Sequence, residues 1–550
     1  MLDLDTTSEC LPLADLLIRA ACRRPDHPSL VFPAFSRSYA QLLSGAVTIA
    51  RGLTAAGIEA GEHVGLLALN GLEFVEAFFG IALAGCVVVP LHPRHRATEL
   101  GYIVRNADLA ALLTTSDSTG YVDLSEVVAK ALPSLERAPT VLNLRPDEAP
   151  RLRAVMLLDG GCRPGFVVRD ELDRLSAASD DEAIERRRQA VRVRDPALIL
   201  YTSGTTSHPK GCVLTHEAIV RGPVYRARRR LGTAESTVTW GAGPLSHIGS
   251  LSPFIGTFGV MGTYVTDVFF EPGRAIELGV RAGVSAAWPW FPAIIQGILD
   301  HPSFHPAVWP NLRTLMLIAS PALVRKVQAT FPRAEILQAC GMTETAGIFA
   351  LSALGESAEE RATTHGRAVP GVGIRIVDVR TGADLPSGRI GELLVRGYCL
   401  TEGYYRDPEK SAAAIDADGW LRTGDLYQLT SEGSLVFSGR LKDMLKVGGE
   451  NVAAVEIESV LCEHAAVRAA EVVGHADPRL DEVPVAFIEL QPAATATAED
   501  LIAFCRDRIA SFKVPRAIHF VAAGEWPMSA TKVDKRALRE RLAALQAKCP

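Results

Sequence analysis

The chain has 550 residues, of which 48% are hydrophobic and 22% charged, and its formal net charge is −6 at pH 7. A chain of this length is too long for a single hydrophobic core and should divide into two or more domains. Its acidic balance gives no electrostatic reason to expect nucleic acid or an anionic membrane as a partner, and we interpret its two basic clusters, residues 186–188 and 228–230, as solvated faces.

The N-terminal segment, Met1 to Arg19, lacks the basic flank and the long apolar centre of a signal peptide. The longest apolar run, Ala77 to Leu91, is interrupted by glycine and proline and falls short of the roughly 18 residues that a membrane span needs. The cysteines form no Cys-x-x-Cys pair, a pattern typical of reduced thiols and not of a zinc site. We therefore expect a cytoplasmic protein without integral membrane association.

Helical and strand-like segments alternate over about the first 430 residues, which predicts layered α/β structure. Residues 72–91 predict a helix followed by a short strand, and residues 197–201 predict a strand that leads into a loop of small residues. Between residues 366 and 435, short strand candidates separated by glycines predict a small β-rich subdomain.

After residue 440 the pattern changes again, to helix, strand and helix, and its length suits a compact α+β unit. The predicted fold class is therefore α/β. A large N-terminal domain of layered α/β subdomains plus the β-rich subdomain occupies residues 1–440, and a small α+β C-terminal domain occupies residues 441–550. The hinge is expected near Arg440 to Asp443.

The segment TSGTTSHPKG, Thr202 to Gly211, carries hydroxyls, glycines and one lysine. These groups suit a triphosphate, because backbone N–H groups and a cation can both approach its oxygens. The segment is not a Walker A loop, which requires Gly-Lys-Ser/Thr, since here Lys210 precedes the glycine. Taken alone, it fits a polar surface turn equally well.

The longer string YTSGTTSHPKGCVLTH resembles the phosphate loop of the acyl-adenylate-forming superfamily, which includes acyl- and aryl-CoA synthetases, peptide-synthetase adenylation domains and luciferases. Further segments resemble that family's motifs in the expected order: GMTET (341–345), WLRTGDL (420–426), GRLKDMLKVGGENV (439–452) and PMSATKVDKRAL (527–538). Because ordered motifs over so much of the chain do not arise by chance, the chain is identified as a member of this superfamily.

The resemblance implies that a carboxylic acid attacks ATP, with Mg²⁺, to give an acyl-adenylate, and that the acyl group then passes to CoA as a thioester. It also implies a mobile C-terminal domain that rotates between the two steps. Both reactants are anions, and two unit charges 4 Å apart repel by about 4 kcal/mol at an effective dielectric constant near 20. Two alternatives remain open: a different acceptor, such as a carrier-protein thiol or an amine, and a nucleotide-binding regulatory protein without catalysis. We expect a monomer or homodimer.

The resemblance also assigns roles to individual residues. The β- and γ-phosphates would be held by Thr202, Ser203, Gly204, Thr205, Thr206 and Lys210. Thr343 would contact the α-phosphate, and Glu344 would be a ligand of Mg²⁺. Asp425 would bind the ribose hydroxyls with help from Arg440. Lys532 would bridge the carboxylate and the α-phosphate, although a solvated lysine in a basic helix is the alternative.

For the thioester step, Lys442 is expected at the hinge. Gly448 and Gly449 fall where a side chain would obstruct a thiol tunnel, and they lack a Cβ atom. Lys446 would line the same channel. A glycine-rich turn between strand and helix explains the pair equally well.

Three positions depart from the family pattern. Cys340, before Gly341, stands where an aromatic ring normally stacks on adenine, so nucleotide affinity or base choice should differ. Ser320 lies in an Ala-Ser-Pro-Ala segment where a glycine-rich strand end near the adenine is usual. Thr531 replaces the glycine that usually precedes the lysine of the C-terminal motif.

His247 matches a position that gates the acyl pocket, and a buried core histidine is an equal alternative. The expected pocket walls are Ile248, Gly249, Ser250, Trp288, Trp290, Phe291 and Ile318. Apolar and aromatic walls favour a hydrophobic or aryl acid, whereas simple core packing would explain the aromatic run as well. Because no acidic residue stands where relatives that activate amino acids hold the amine, an α-amino acid is disfavoured.

Overall fold

The computed structural model describes residues 10–116, 122–138, 141–202, 209–229, 236–447, 450–477, 479–506, 508–529 and 532–546. They form a mixed α/β structure with a large N-terminal part and a small C-terminal domain. The predicted fold class is confirmed, whereas the domain boundary at residue 440 stays a prediction.

The elements of the first layer, together with β1 and β2 of the second, are, in chain order, α1 (Leu13–Arg23), β1 (Pro28–Val31), β2 (Ser36–Ser38), α2 (Tyr39–Ala55), β3 (His63–Leu67), α3 (Leu72–Leu83), β4 (Val87–Pro90), α4 (Ala97–Asn106), β5 (Ala111–Thr114), α5 (Leu124–Ala131), β6 (Ala154–Leu157), α6 (Arg169–Ala177), α7 (Asp181–Ala190), β7 (Pro196–Thr202) and β8 (Lys210–Thr215). Its sheet has the strand order β6-β5-β3-β4-β7-β8 and is parallel except for the β7–β8 hairpin. Every residue of β4 is buried, as expected for a parallel strand that is covered on both faces.

The second layer contains α8 (His216–Arg229), β9 (Val238–Gly241), α9 (Ile248–Gly259), β10 (Thr263–Val265), α10 (Pro272–Ala282), β11 (Ala286–Trp290), α11 (Pro292–Leu299), β12 (Thr314–Leu317), α12 (Pro321–Thr330) and β13 (Glu335–Leu337). Its sheet has the order β13-β12-β11-β9-β10-β1-β2. Helix α10 shows how local sequence sets the bounds of an element. Glu271 accepts hydrogen bonds from the N–H groups of Gly273 and Arg274, and Gly283 ends the helix at φ +68°.

The two layers share one aromatic core between α3 and α9. The rings of Phe79 and Phe258 stack with centroids 5.1 Å apart, and those of Phe78 and Phe254 meet edge to face at 6.0 Å. All four side chains are fully buried, and burial of each contributes about 1.5–3 kcal/mol. This core fixes the first sheet against the second, and with them the two halves of the candidate site.

The β-rich region follows, with β14 (Ala339–Met342), β15 (Gly347–Leu351), α13 (Ala358–Thr363), β16 (Arg367–Ala368), β17 (Val372–Val377), β18 (Gly391–Gly397), α14 (Pro408–Ala414), β19 (Leu421–Leu429) and β20 (Leu435–Arg440). Strands β17 to β20 form an antiparallel meander, which agrees with the predicted β-rich subdomain. A 3₁₀ turn, Leu441–Asp443, separates it from the C-terminal sheet.

The C-terminal region contains β21 (Met444–Val447), β22 (Glu450–Ala453), α15 (Ala454–Cys462), β23 (Val467–Asp477), β24 (Asp481–Leu490), α16 (Ala498–Arg506), β25 (Ala517–Phe520), β26 (Met528–Ser529), β27 (Lys532–Val533) and α17 (Lys535–Gln546). Strands β22-β21-β24-β23 form a sheet, β25 pairs with β24, and β26 and β27 form a separate hairpin. Below, "lid" means residues 444–546 and "body" means residues 10–440.

One interpretation from the sequence is wrong in part. The basic cluster at residues 186–188 is not simply solvated, because Arg188 pairs with Asp15 of α1 at 2.6 Å and Arg187 donates to the carbonyl oxygen of Ile58 at 2.7 Å. These contacts join α7 to α1 and to the segment that contains Ile58. In the part of the chain that the structure describes, every cysteine is a free thiol, and no helix is both long and apolar enough to cross a bilayer.

Candidate active site

The phosphate segment begins and ends on the β7–β8 hairpin, where Thr202 is paired with Lys210. The intervening predicted phosphate ligands, Ser203, Gly204, Thr205 and Thr206, lie outside the described residues. The ammonium group of Lys210 lies 4.7 Å from the ring centroid of Tyr404, a cation–π distance. The hairpin therefore presents its lysine beside an aromatic ring that the motif does not contain.

Thr343 and Glu344 lie in a 3₁₀ turn between β14 and β15. The backbone is crowded here, because a Cβ atom on Gly341 would lie 2.4 Å from the carbonyl oxygen of Gly347. The hydroxyl of Thr345 closes the turn by donating to that same oxygen at 2.7 Å. The glycine and the threonine of this motif are thus explained by the turn, which leaves Thr343 and Glu344 half-buried on its surface.

Tyr404 joins the first two motifs. Its hydroxyl donates to Oε1 of Glu344 at 3.0 Å, while its ring carries the ammonium of Lys210. Burial, followed by the charge of Glu344, raises the pKa of Tyr404, which keeps its hydroxyl a donor. The sequence analysis did not identify Tyr404, because its partners lie far from it along the chain and no local pattern marks it.

The ribose motif is a cross-strand pair. Asp425 on β19 is in register with Arg440 on β20, and Arg440 Nε lies 3.2 Å from Asp425 Oδ1. Burial raises the pKa of Asp425, and the charges of Arg440, Lys532 and Lys442 act in the opposite direction. An acid surrounded by cations is a suitable acceptor for hydroxyl groups, because the cations keep it ionised.

Lys532 comes from the lid and reaches the body at this point. It opens β27 of the short hairpin, opposite Ser529, and its charge acts on both Asp425 and His247 of the body. Its side chain is accessible to solvent. Loss of hydration from the surrounding protein atoms, followed by the charge of Arg440, nevertheless lowers the pKa of Lys532 to about 8. The structure thus places the lysine motif beside the ribose motif and His247.

The neighbouring basic residues of the C-terminal motif are engaged elsewhere. Lys535 forms ion pairs with Glu458 and Glu471 inside the lid, and Arg536 pairs with Glu540 along the exposed face of α17. Lys532 forms no ion pair with any described residue. This arrangement favours Lys532 over the alternative of a solvated basic helix.

Cys340 lies where the family pattern has an aromatic ring, and its place beside the adenine stays a prediction. Its side chain is buried in a core cluster between β14–β15 and the β17–β20 meander. Tyr427 packs in the same cluster, and its hydroxyl lies 3.0 Å from Nδ1 of His365. Burial lowers the pKa of His365 to about 4, so this internal cluster is neutral. Tyr427 and His365 were not identified from the sequence.

The remaining predicted cofactor and hinge residues are more scattered. Ser320 precedes the first turn of α12, and Lys442 lies in the exposed 3₁₀ turn between body and lid, where its charge reaches Asp425. Lys446 lies on β21 with its side chain exposed, and its N–H donates to Glu482 of the lid at 2.8 Å. Gly448 and Gly449 lie outside the described residues.

The acyl-pocket candidates converge on the first turn of α9. His247 caps this helix by accepting the N–H of Gly249 on Nδ1 at 3.0 Å, and burial with the charge of Lys532 lowers the pKa of His247 to about 4. His247 is therefore a neutral helix cap beside the lysine, and its role as a gate of the acyl pocket stays a prediction. Ile248 and Ser250 are buried beside it in the same turn.

The opposite wall is β11. Trp288 and Trp290 are 2% and 8% exposed and meet edge to face, with ring centroids 5.7 Å apart. They pack with Phe291 and Ile318 in one cluster. Trp290 has φ +65°, a left-handed conformation that costs roughly 1–2 kcal/mol for a non-glycine residue and that is concentrated at functional sites.

Glu344 is the candidate ligand for a cation in this site. Among the described residues no group of three or more His, Cys, Asp or Glu side chains could hold a metal ion by itself. Magnesium commonly binds through one or two carboxylates together with phosphate oxygens and water. Glu344 suits that requirement as a half-buried carboxylate whose Oε1 accepts the hydroxyl of Tyr404.

Comparison with known proteins agrees with this geometry. Residues 17–405 match the family of AMP-binding enzymes, and residues 456–532 match the AMP-binding enzyme C-terminal domain. A mitochondrial medium-chain acyl-CoA ligase of Mus musculus is 30% identical over 556 residues, which cover 98% of this chain and 87% of that one.

A 3-[(3aS,4S,7aS)-7a-methyl-1,5-dioxo-octahydro-1H-inden-4-yl]propanoyl:CoA ligase of Rhodococcus jostii is 31% identical over 528 residues, which cover 92% of this chain and 93% of that one. Among solved structures, an anthranilate CoA ligase in complex with anthranoyl-AMP superposes with a TM-score of 0.84 at 25% identity, covering 98% of each chain. The resemblance therefore extends over both the body and the lid.

Proposed function

The chain belongs to the family of AMP-binding enzymes, and we propose from this membership and from the site that it joins a carboxylic acid to CoA through an acyl-adenylate. In the first step a carboxylate oxygen attacks the α-phosphorus of ATP, and the bond to the pyrophosphate leaving group breaks. In the second step the CoA thiolate attacks the acyl carbonyl carbon, and AMP leaves with the electron pair of the broken bond.

The observation that supports this proposal most is the meeting of Lys532 with Asp425 and His247. The lysine lies between the ribose side and the acyl side of the site, which is where the two reacting anions would meet. A cation placed there lowers their repulsion and stabilises the charge of the transition state. The reciprocal charge effects of these residues support this placement.

We propose Mg²⁺ as the cation at Glu344, with Tyr404 orienting the carboxylate through Oε1. When bound, the ion supplies positive charge at the phosphate oxygens. Lys210 would contribute a second positive charge from the other side of the tyrosine ring. We also propose that Thr202 and Thr343 contact the phosphates, because both lie at the ends of the segments that carry these charges.

The pocket walls suggest a hydrophobic or aryl acid. Trp288, Trp290, Phe291 and Ile318 supply a largely apolar surface beside His247. The relatives' names cover medium-chain acyl groups, a bicyclic dioxo propanoate and anthranilate, a range that is consistent with an acid of that class here.

The test is acid-dependent exchange of pyrophosphate into ATP over a panel of acids, with and without CoA. Exchange together with CoA-dependent release of AMP would support the full proposal. Exchange without a CoA effect would point to another acceptor, and ATP binding without exchange on any acid would contradict the proposed activity. The exchange-inactive control is Lys532→Ala, measured on the same panel.

A further inference from the structure

The two tryptophans of the acyl pocket have buried indole N–H groups without acceptors. Neither Trp288 Nε1 nor Trp290 Nε1 has a hydrogen-bond partner in the described part of the chain, although both rings are more than nine-tenths buried. Two other tryptophans satisfy this donor. Trp309 Nε1 donates to the carbonyl oxygen of Ile276 at 3.3 Å, and Trp526 Nε1 donates to Glu489 at 2.6 Å. A buried polar group without a partner needs an explanation.

Packing of the two rings against each other does not remove the problem. They meet edge to face at an interplanar angle of 88°, which allows one N–H to point at the π face of the other ring. One ring contact cannot satisfy both donors at once. At least one indole N–H therefore remains without an acceptor from the described protein.

The donor of Trp290 lies on the first turn of α9. A Cβ atom on Gly249 would be only 2.0 Å from Trp290 Nε1, so the glycine is required for the indole to reach this place. The N-terminus of a helix carries partial positive charge. The indole N–H and the N-terminus of α9 therefore favour the same kind of atom, an electronegative acceptor.

The position of this donor relative to the lysine is fixed by His247. This residue caps α9 through the N–H of Gly249 and lies within the electrostatic reach of Lys532. An acid whose carboxylate is at Lys532 would extend past His247 toward the indole of Trp290. The unsatisfied donor would then meet the body of the substrate and not its reacting carboxylate.

We infer that the acid is hydrophobic but carries a hydrogen-bond acceptor oxygen, such as a ketone, on the part that packs against Trp288 and Trp290. This inference rests on the proposed function and narrows its substrate class. A purely hydrocarbon acid would leave the indole donor unpaired in the complex, whereas the oxygenated acid pairs it. A site with such a donor discriminates against an analogue that lacks the acceptor.

The experiment compares matched acids that differ by one oxo group. Each apolar acid of a panel of cyclic, aryl and medium-chain carboxylic acids is assayed beside its oxo counterpart, with the oxo group at several positions. The ratio of kcat/KM within a pair is measured by pyrophosphate exchange. We expect at least one pair to favour the oxo acid by about tenfold.

That pair is then measured in Trp290→Phe and Trp288→Phe, which keep an aromatic ring and remove the N–H group. We expect the ratio to fall toward one in at least one of them. The matched control is Trp309→Phe, which removes an N–H that already has a protein acceptor and should leave the ratio unchanged. Because the ratio is taken on a single enzyme preparation, partial loss of folded protein cancels.

The outcomes separate this inference from the proposed function. Exchange on some acids without any preference for an oxo acid would overturn the inference and leave the function intact. A preference that survives in both pocket variants, or that is lost equally in the Trp309 control, would also overturn it. Absence of exchange on every acid would contradict the function itself.

Discussion

The body and the lid hold their charged groups in different ways. In the body, Asp425 is paired with Arg440, and Glu344 is bound by Tyr404. In the lid, Lys535 is paired internally, whereas Lys532, at the surface that meets the body, forms no ion pair with any residue that the structure describes. The difference indicates a division of labour. In the proposed mechanism the body would provide the hydrogen-bonded nucleotide site, and the lid would deliver Lys532 to it.

The substitution Lys532→Ala is the strongest test of this difference between the body and the lid. Removal of a well-placed charge of this kind costs on the order of 10²–10³ in rate, so pyrophosphate exchange should fall by that factor. Because the nucleotide groups lie in the body, binding of ATP measured by calorimetry should change much less.

The matched control is Arg536→Ala, which removes a basic residue in the same motif whose partner is the exposed Glu540. Its exchange rate should be close to wild type. Near-normal exchange in Lys532→Ala would mean that the lid does not supply the cation, and the division between the two regions would be wrong.

The pH dependence sharpens the same point. The pKa of Lys532 is lowered to about 8, and only the protonated lysine carries the required charge. Activity that depends on it is therefore fully present below that value and is lost as pH rises through it. At pH values above this pKa, we expect kcat/KM for ATP to fall by about tenfold per pH unit.

The check is the pH–rate profile of Lys532→Arg. Arginine stays protonated over the whole accessible range, so its profile should lose the alkaline limb even if its absolute rate is lower. A limb that persists unchanged in this variant would have to arise from another group.

The sequence predicts the charged residues of the body's candidate site better than it predicts the residues that link them to one another. Lys210, Glu344 and Asp425 stand inside short motifs, and the structure brings two of them to one tyrosine. Tyr404 itself was not predictable, because its role depends on where a distant loop returns and not on its neighbours in sequence.

The same limit on prediction from sequence applies to the predicted adenine site at Cys340 and to the predicted acyl-pocket wall on β11. The replacement at Cys340 was visible in the sequence, but its burial beside Tyr427 and the contact of Tyr427 with His365 depend on how two sheets face each other. The aromatic character of β11 was also visible. That the indole N–H groups lack acceptors could be known only from the packing around them.

A smaller effect is expected from Tyr404→Phe, which tests whether the body's site is built in advance. The change keeps the ring beside Lys210 and removes the hydroxyl that holds Glu344 Oε1. A hydrogen bond of this kind contributes about 0.5–1.5 kcal/mol, so the Mg²⁺ concentration for half-maximal exchange should rise by roughly 2- to 10-fold. The control is Tyr405→Phe, whose hydroxyl donates to Asp108 instead. An equal rise in both variants would exclude a specific role for Tyr404.

The smallest effect is expected at the contact between the two regions. Arg468 of the lid lies 3.4 Å from Asp300 of the body and also 3.4 Å from Glu489 of the lid. Asp300→Ala removes the body's half of this contact, while Arg468 keeps its partner within the lid. Surface ion pairs contribute about 0–1 kcal/mol, so the closed arrangement should lose at most a few-fold in population. Pyrophosphate exchange should fall by that factor, whereas CoA-dependent release of AMP from preformed acyl-adenylate should not fall. An equal decrease in both steps would show that the pair supports the fold of the enzyme and not the position of the lid.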